Sequence, residues 1–112
     1  MSLPVLNVAL TLEAPERVAD GMGGARIEWR ALGVLYAELR PAAAREVAGQ
    51  TGQMPRLDWR VLTRAFRAGD PRRPQPGQRF RMGARLLRIE AVAEFGPGGR
   101  YLQSRATEEV LP

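Results

Sequence analysis

Residues 78–95 read QRFRMGARLLRIEAVAEF, two runs of alternating apolar side chains that meet at a glycine. In the first run Phe80 points one way while Arg79 and Arg81 point the other, the period of two expected of a half-buried strand. Gly83 accepts the positive φ of a tight reversal, so the two runs are predicted to fold back on each other as a hairpin. In the second run Leu87, Ile89, Ala91, Ala93 and Phe95 share one face, and Arg88, Glu90 and Glu94 the other. Leu86 and Val92 are the apolar exceptions on that wetter face. A strand this long with a continuous apolar face is the spine of a small sheet or barrel.

The rest of the chain supplies partners for it. Leu6, Val8, Leu10 and Leu12 alternate with Asn7, Ala9 and Thr11 as a first strand, and residues 13–24 (EAPERVADGMGG) then read as a polar loop ending in a reversal. Alternation resumes with Ile27 and Trp29 on one side and Arg26, Glu28 and Arg30 on the other. Gly33 marks a bend or bulge, after which Leu35, Ala37 and Leu39 face inward. At strand spacing, Trp29 reads as core or sheet-face packing. Residues 41–56 (PAAAREVAGQTGQMPR) have no period of two and read as one long projecting loop. Pro41 and Gly49 suit the start and stop of a short helix over residues 42–48.

Leu57, Trp59, Val61, Thr63 and Ala65 then oppose Asp58, Arg60, Leu62, Arg64 and Phe66. Large apolar groups on both faces predict a strand packed on both sides or against a neighbouring subunit. Three prolines rule out regular structure over residues 69–77 (GDPRRPQPG). Residues 96–99 (GPGG) form another turn, and residues 100–107 a last strand with Leu102 and Ala106 inward. Residues 108–112 read as a short acidic tail. The expected fold is all-β: a small antiparallel barrel or sandwich of six or seven strands with one long projecting loop. At 112 residues the chain is expected to be one domain.

Missing residue types narrow the chemistry. The chain has no Cys and no His, and its 17 basic residues are all Arg. That excludes disulfides, thiolate and imidazole metal sites, and any Cys–His or Ser–His nucleophile pair. Without Lys there is no Schiff-base chemistry and no phosphate-binding P-loop. No pair of acids stands out from the strand pattern, so no catalytic residue, metal or cofactor is assigned. The run from Leu3 to Leu12 is too short to span a bilayer, and no basic leader precedes it. Net charge is +5, and Arg pairs bidentately with phosphate without losing its charge. The arginines are spread along the chain, however, so charge alone favours solvated strand faces.

The order of these features resembles the phage head–tail joining family, the small head-closure or stopper proteins. It includes the Asp20-Gly-x-Gly-Gly24 turn followed by a Trp strand (Trp29), and the run Val34-Leu35-Tyr36-Ala37-Glu38-Leu39. An Ala-rich loop with Arg45-Glu46 follows, then a strand with Arg64, the Arg79-x-x-x-Gly83 hairpin leading into Leu87-Arg88-Ile89, and a final acidic pair, Glu108 and Glu109. Within the family it looks most like the versions carried by gene transfer agents. The strand around Leu62-Thr63-Arg64-Ala65-Phe66 departs from the family's usual Ile-Arg-Tyr pattern.

The resemblance implies a non-enzymatic β-barrel subunit of a homo-oligomeric ring, hexameric or dodecameric, around packaged double-stranded DNA. It implies a portal-side adaptor ring and a tail-side terminator as partners. It also implies residence in the neck of a phage-like virion assembled in the bacterial cytoplasm, away from membranes. The long loop is implied to project into the channel, with Arg45, Glu46, Gln50, Gln53 and Arg56 as channel or gating residues. Arg40, Arg72 and Arg73 are candidates for phosphate or ring–ring contacts. The main alternative is a free OB-like barrel that binds single-stranded nucleic acid. Such proteins stack bases on exposed aromatics, which make up only 6% of this chain, with Trp29, Trp59 and Phe80 on faces read as core. A small carboxylate enzyme is a third reading with no positive feature behind it.

Overall fold

The computed structural model describes residues 3–46 and 55–109. The strands are β1 (Val8–Ala19), β2 (Ala25–Glu46), β3 (Pro55–Arg64), β4 (Arg79–Met82), β5 (Arg85–Phe95) and β6 (Tyr101–Glu109). All pairings are antiparallel, and the sheet closes on itself in the order β1-β2-β3-β6-β5-β4. The all-β expectation therefore holds, with six strands in a closed barrel. The only helical turn among the described residues is a short 3₁₀ segment at Pro97–Gly99.

The barrel interior is the apolar set read from the alternation. Leu10, Leu12, Leu35, Ala37, Val61, Phe80, Leu87, Ile89 and Ala106 form one buried cluster. Phe80, opposite Leu12 on one side and Leu87 on the other, has no exposed surface. Burying such a side chain stabilises the fold by about 1.5–3 kcal/mol. The hairpin turn is at Gly83, with φ 61°, followed by Ala84 in an ordinary conformation. That is the type II′ pattern, whose twist matches the flanking strands. On β3, Val61, Leu62 and Thr63 are all fully buried, so both faces of that strand are covered within this chain at its middle, as its two apolar faces predicted. Arg60 and Arg64 to either side are exposed.

Three bulges change what alternation alone predicts. Between β1 and β2 the register slips at Leu32, because Leu12 faces Gly33 while Glu13 faces Ala31. Between β2 and β3 it slips at Ala42. Between β5 and β6, Ile89 faces Ala106 but Ala91 faces Arg105, so Glu90 is the extra residue. A one-residue insertion flips every later side chain to the other face. The predicted face through Ala91, Ala93 and Phe95 is therefore wrong beyond Ile89. Val92 packs against the core, and Ala91 and Ala93 are exposed.

Two predicted loops are strand over part of their length. Residues 13–19 continue β1 and pair with residues 25–31 of β2 as a hairpin arm, leaving only 20–24 as the turn. Within that turn Asp20 Oδ1 accepts hydrogen bonds from the backbone N–H of Met22 (2.7 Å) and Gly24 (3.0 Å). Beyond Glu13, β1 has no second neighbour among the described residues, nor does β2 before Ala37. Likewise, β2 runs on to Glu46 and β3 begins at Pro55, so the helix expected over 42–48 is strand through Glu46. Its last residues, 47–48, lie outside the described residues. The acidic tail is corrected too: Glu108 and Glu109 end β6, and Glu108 is buried.

Candidate functional site

Ordering starts where a carboxylate meets more than one guanidinium. Glu13, at the end of the regular β1–β4 pairing, lies beside Arg79 and diagonally from Arg81 on β4. Arg79 Nε donates to its Oε1 and Arg81 Nε to its Oε2, both at 2.8 Å. Burial pushes the Glu13 carboxyl up, but the hydrogen bonds and charges of Arg79 and Arg81 outweigh it and hold the pKa below the usual carboxylate range. The Arg79 guanidinium also sits 4.0 Å from the centre of the Trp29 ring. Trp29 is thus sheet-face packing, and the stack ties the arm to β4.

A second clamp closes the opposite seam. Arg85 donates to Glu108 through Nε (2.7 Å) and Nη2 (2.9 Å), and Trp59 Nε1 donates to Glu108 Oε1 at 2.9 Å. The Arg85 hydrogen bonds lower the Glu108 pKa despite the opposing effect of burial, and Trp59 adds to the lowering. Neither clamp was legible from composition. The parity of Arg79, Arg81 and Glu13 was readable, but the pairing of β1 with β4 that brings them together was not.

The residues singled out in the sequence are dispersed by the fold. Arg45 and Glu46 end β2, their backbones opposite Arg56 and Pro55. Gln50 and Gln53 lie outside the described residues. Arg56 donates through Nη2 to Glu109 Oε1 at 3.3 Å. Arg40 is engaged by Glu38 and lies over the Phe95 ring. Glu38 is lowered in pKa by the Val5 backbone N–H and then by Arg40. Arg72 is held by Asp70 and stacks on Phe66, and Arg73 donates to the Phe66 carbonyl at 2.6 Å. The arginines expected to meet phosphate therefore already have partners within the chain.

The arginines without a carboxylate partner among the described residues are mostly elsewhere. Arg60 on β3 and Arg105 on β6 are directly opposite each other and exposed. Arg64 shares Arg60's face of β3, and the exposed Arg67 and Arg100 lie just beyond the same ends of the two strands. Arg17, on the arm, and Arg73, which donates to the Phe66 carbonyl, also lack a carboxylate partner among the described residues. Strand parity made Arg60 and Arg64 neighbours in the sequence, but their lack of counter-charges became visible only when the acids found other arginines. Among the described residues no cluster of His, Cys, Asp and Glu is suited to a metal ion, and no helix is long and apolar enough to cross a membrane.

Fold and site together define a small closed antiparallel barrel with hairpin extensions, stitched on its outside by arginine–carboxylate clamps. The chain belongs to the phage head completion protein family, which it matches over residues 1–109. It is similar to a chain in the virion of a native gene transfer agent particle, with 44% identity and a TM-score of 0.87, over 98% of this chain and 100% of that one. No curated protein sequence matches it.

Proposed function

We propose that this protein is a non-enzymatic head-closure subunit of a phage-like particle, forming a ring around the DNA channel that retains packaged DNA and offers the surface to which the tail attaches. The observation that carries this reading is the likeness, over nearly the full length of both chains, to a component of a gene transfer agent virion. Three features of the chain support it. A closed barrel leaves no barrel edge to pair promiscuously, so it repeats around a rotation axis through side-chain surfaces and extensions. The β2–β3 pairing reaches Glu46 and Pro55, which flank the connection 47–54, and this reading gives that connection the obstruction of the channel. Rotational symmetry turns each inward arginine into a ring of positive charge that meets phosphate without reading bases. The ring's portal-side adaptor and tail-side terminator, and its hexameric or dodecameric count, belong to the same proposal.

The aromatic residues do not favour a free single-stranded nucleic-acid barrel. Phe80 is inside, and Trp29 and Trp59 are each faced by an arginine. The test of the connector reading is deletion of residues 50–54 in a particle-producing cell. Folded subunits and particles that leak DNA are the expected result. Tight, DNA-filled particles would remove the gating role. A subunit that never enters particles would remove the reading itself.

A further inference from the structure

On the outer face of the β3–β6 ribbon, Arg60, Arg64 and Arg105 are exposed around the covered Leu62 and carry positive charge with no ion pair among the described residues. Almost every other described arginine has an acid: Arg26 has Glu28, Arg30 Glu16, Arg40 Glu38, Arg56 Glu109, Arg72 Asp70, Arg79 and Arg81 Glu13, Arg85 Glu108, and Arg88 Glu90. Arg60, Arg64, Arg67, Arg100 and Arg105 have none among the described residues, and they share one ribbon. Arg60 and Arg105 are a directly opposed cross-strand pair, an arrangement that costs stability when no anion intervenes. Arg40 adds a third guanidinium-bearing position in the same row, since it faces Arg60 from β2.

We infer that this strip is a binding site for the phosphate backbone of double-stranded DNA, separate from the arginines of the β2–β3 extension and of the proline-rich loop. The inference rests on the connector reading only for the presence of DNA beside the subunit. Its chemistry rests on the strip. From Arg60 to Arg64 the guanidiniums span about 13 Å of strand, and each DNA strand carries a charge every ~3.4 Å of axis. Arginine suits phosphate through its planar fork of donors and keeps its charge at any working pH.

An acidic protein surface is the other conceivable occupant, but a protein interface needs an apolar centre. Here the large apolar residue between Arg60 and Arg64, Leu62, is fully buried. Exposed apolar side chains such as Met22, Ile27, Val34 and Tyr36 lie on β2 and in the turn before it. The strip also lacks an exposed Trp or Phe for stacking, so it grips the backbone and does not read bases.

The experiment is a titration of the full chain with a fluorescent double-stranded DNA of arbitrary sequence, repeated over a range of salt. The wild type is compared with R60Q/R64Q/R105Q and with R26Q/R30Q, which removes arginines already serving Glu28 and Glu16. Thermal unfolding confirms that each is folded. The strip variant is expected to lose at least about tenfold in affinity at low salt. Its salt dependence is expected to flatten by about 0.9 in log–log slope for each phosphate that is no longer neutralised. The control is expected to stay near wild type.

A strip variant indistinguishable from the control overturns the inference, as does a wild type with no salt-dependent binding. So does a strip variant that binds DNA normally but no longer joins an acidic neighbouring protein. Incorporation of the same variants into particles is scored separately. Normal incorporation with unchanged DNA binding sinks the strip and leaves the connector reading standing, whereas exclusion of the wild type from particles sinks the connector reading.

Discussion

Glu108→Gln isolates the charge at the β5–β6 seam. The carboxylate accepts two hydrogen bonds from Arg85 and one from Trp59 while its side chain is only 8% exposed. The amide keeps the shape and can still accept from Trp59, but it removes the charge and turns an NH₂ group toward one of the donors. Hydrogen bonds to a charged group are worth about 1.5–3 kcal/mol against roughly 1 for neutral ones. Arg85 is 45% exposed and recovers part of the loss from water, so a net cost of about 1–2 kcal/mol is expected at neutral pH. For a domain of this size that lowers Tm by about 4–10 °C.

The pH dependence supplies a second constraint. Glu108 is held below its ordinary pKa in the folded state. The unfolded carboxyl takes up its proton near pH ~4.3, and the folded one only at lower pH. Its stabilisation is therefore complete above about pH 4.3 and fades as pH falls through the folded pKa. Urea unfolding followed by tryptophan fluorescence, with Trp59 in direct contact, measures both quantities. The gap between wild type and variant should be full at neutral pH and narrow progressively in acid. A gap that is absent at neutral pH, or undiminished at about pH 3, would refute the assignment of this stability to an ionised Glu108.

Phe80→Ala empties the centre of the barrel and should cost about 3–5 kcal/mol by denaturant unfolding. Val92→Asp should destabilise by more than about 2 kcal/mol while Ala93→Asp changes stability by less than about 1, because only Val92 faces the core after the Glu90 bulge. Equal effects would mean that the register does not slip there. Gly83→Val places a β-branched residue at φ 61° and should cost about 1–3 kcal/mol, read as a fall in Tm. Arg79→Gln should alter Trp29 emission by removing the cation above its ring, with Trp59 emission unchanged in a Trp29→Phe background.

How far the sequence could be read depended on which force shaped each stretch. The hairpin over 78–95 was legible because burial imposes a period of two up to Ile89, and Gly83 punctuates it. The arm's second half over 25–31 was legible too, but residues 13–19 were not, because a two-stranded ribbon with solvent around it is held by backbone pairing and leaves no alternation in Glu16, Arg17 and Val18. β2 beyond Pro41 was missed as well, because Ala42–Ala44 carry no facial signal, although β3 beside it is itself paired with β6. Val92 and Ala93 were exchanged because a bulge adds a residue without changing composition. At the candidate site, the individual arginines were visible but their ion pairs were not. Arg40 and Arg72 take acids two residues away, whereas Glu13 and Glu108 reach their arginines across strands, where register decides the pairing.

The arm has a further bearing on life before assembly. Closing the barrel hides the hydrogen-bonding rims of its strands, but among the described residues no further strand pairs with either rim of the arm, and open rims invite chains to stack into fibres. Pro15 deletes a donor from one rim, Arg17, Glu16, Glu28 and Arg30 crowd the ribbon with charge, and the Leu32 bulge twists it away from flatness. These are devices that keep a ribbon from recruiting its copies at random. A subunit so equipped resists pairing with its own copies through this ribbon.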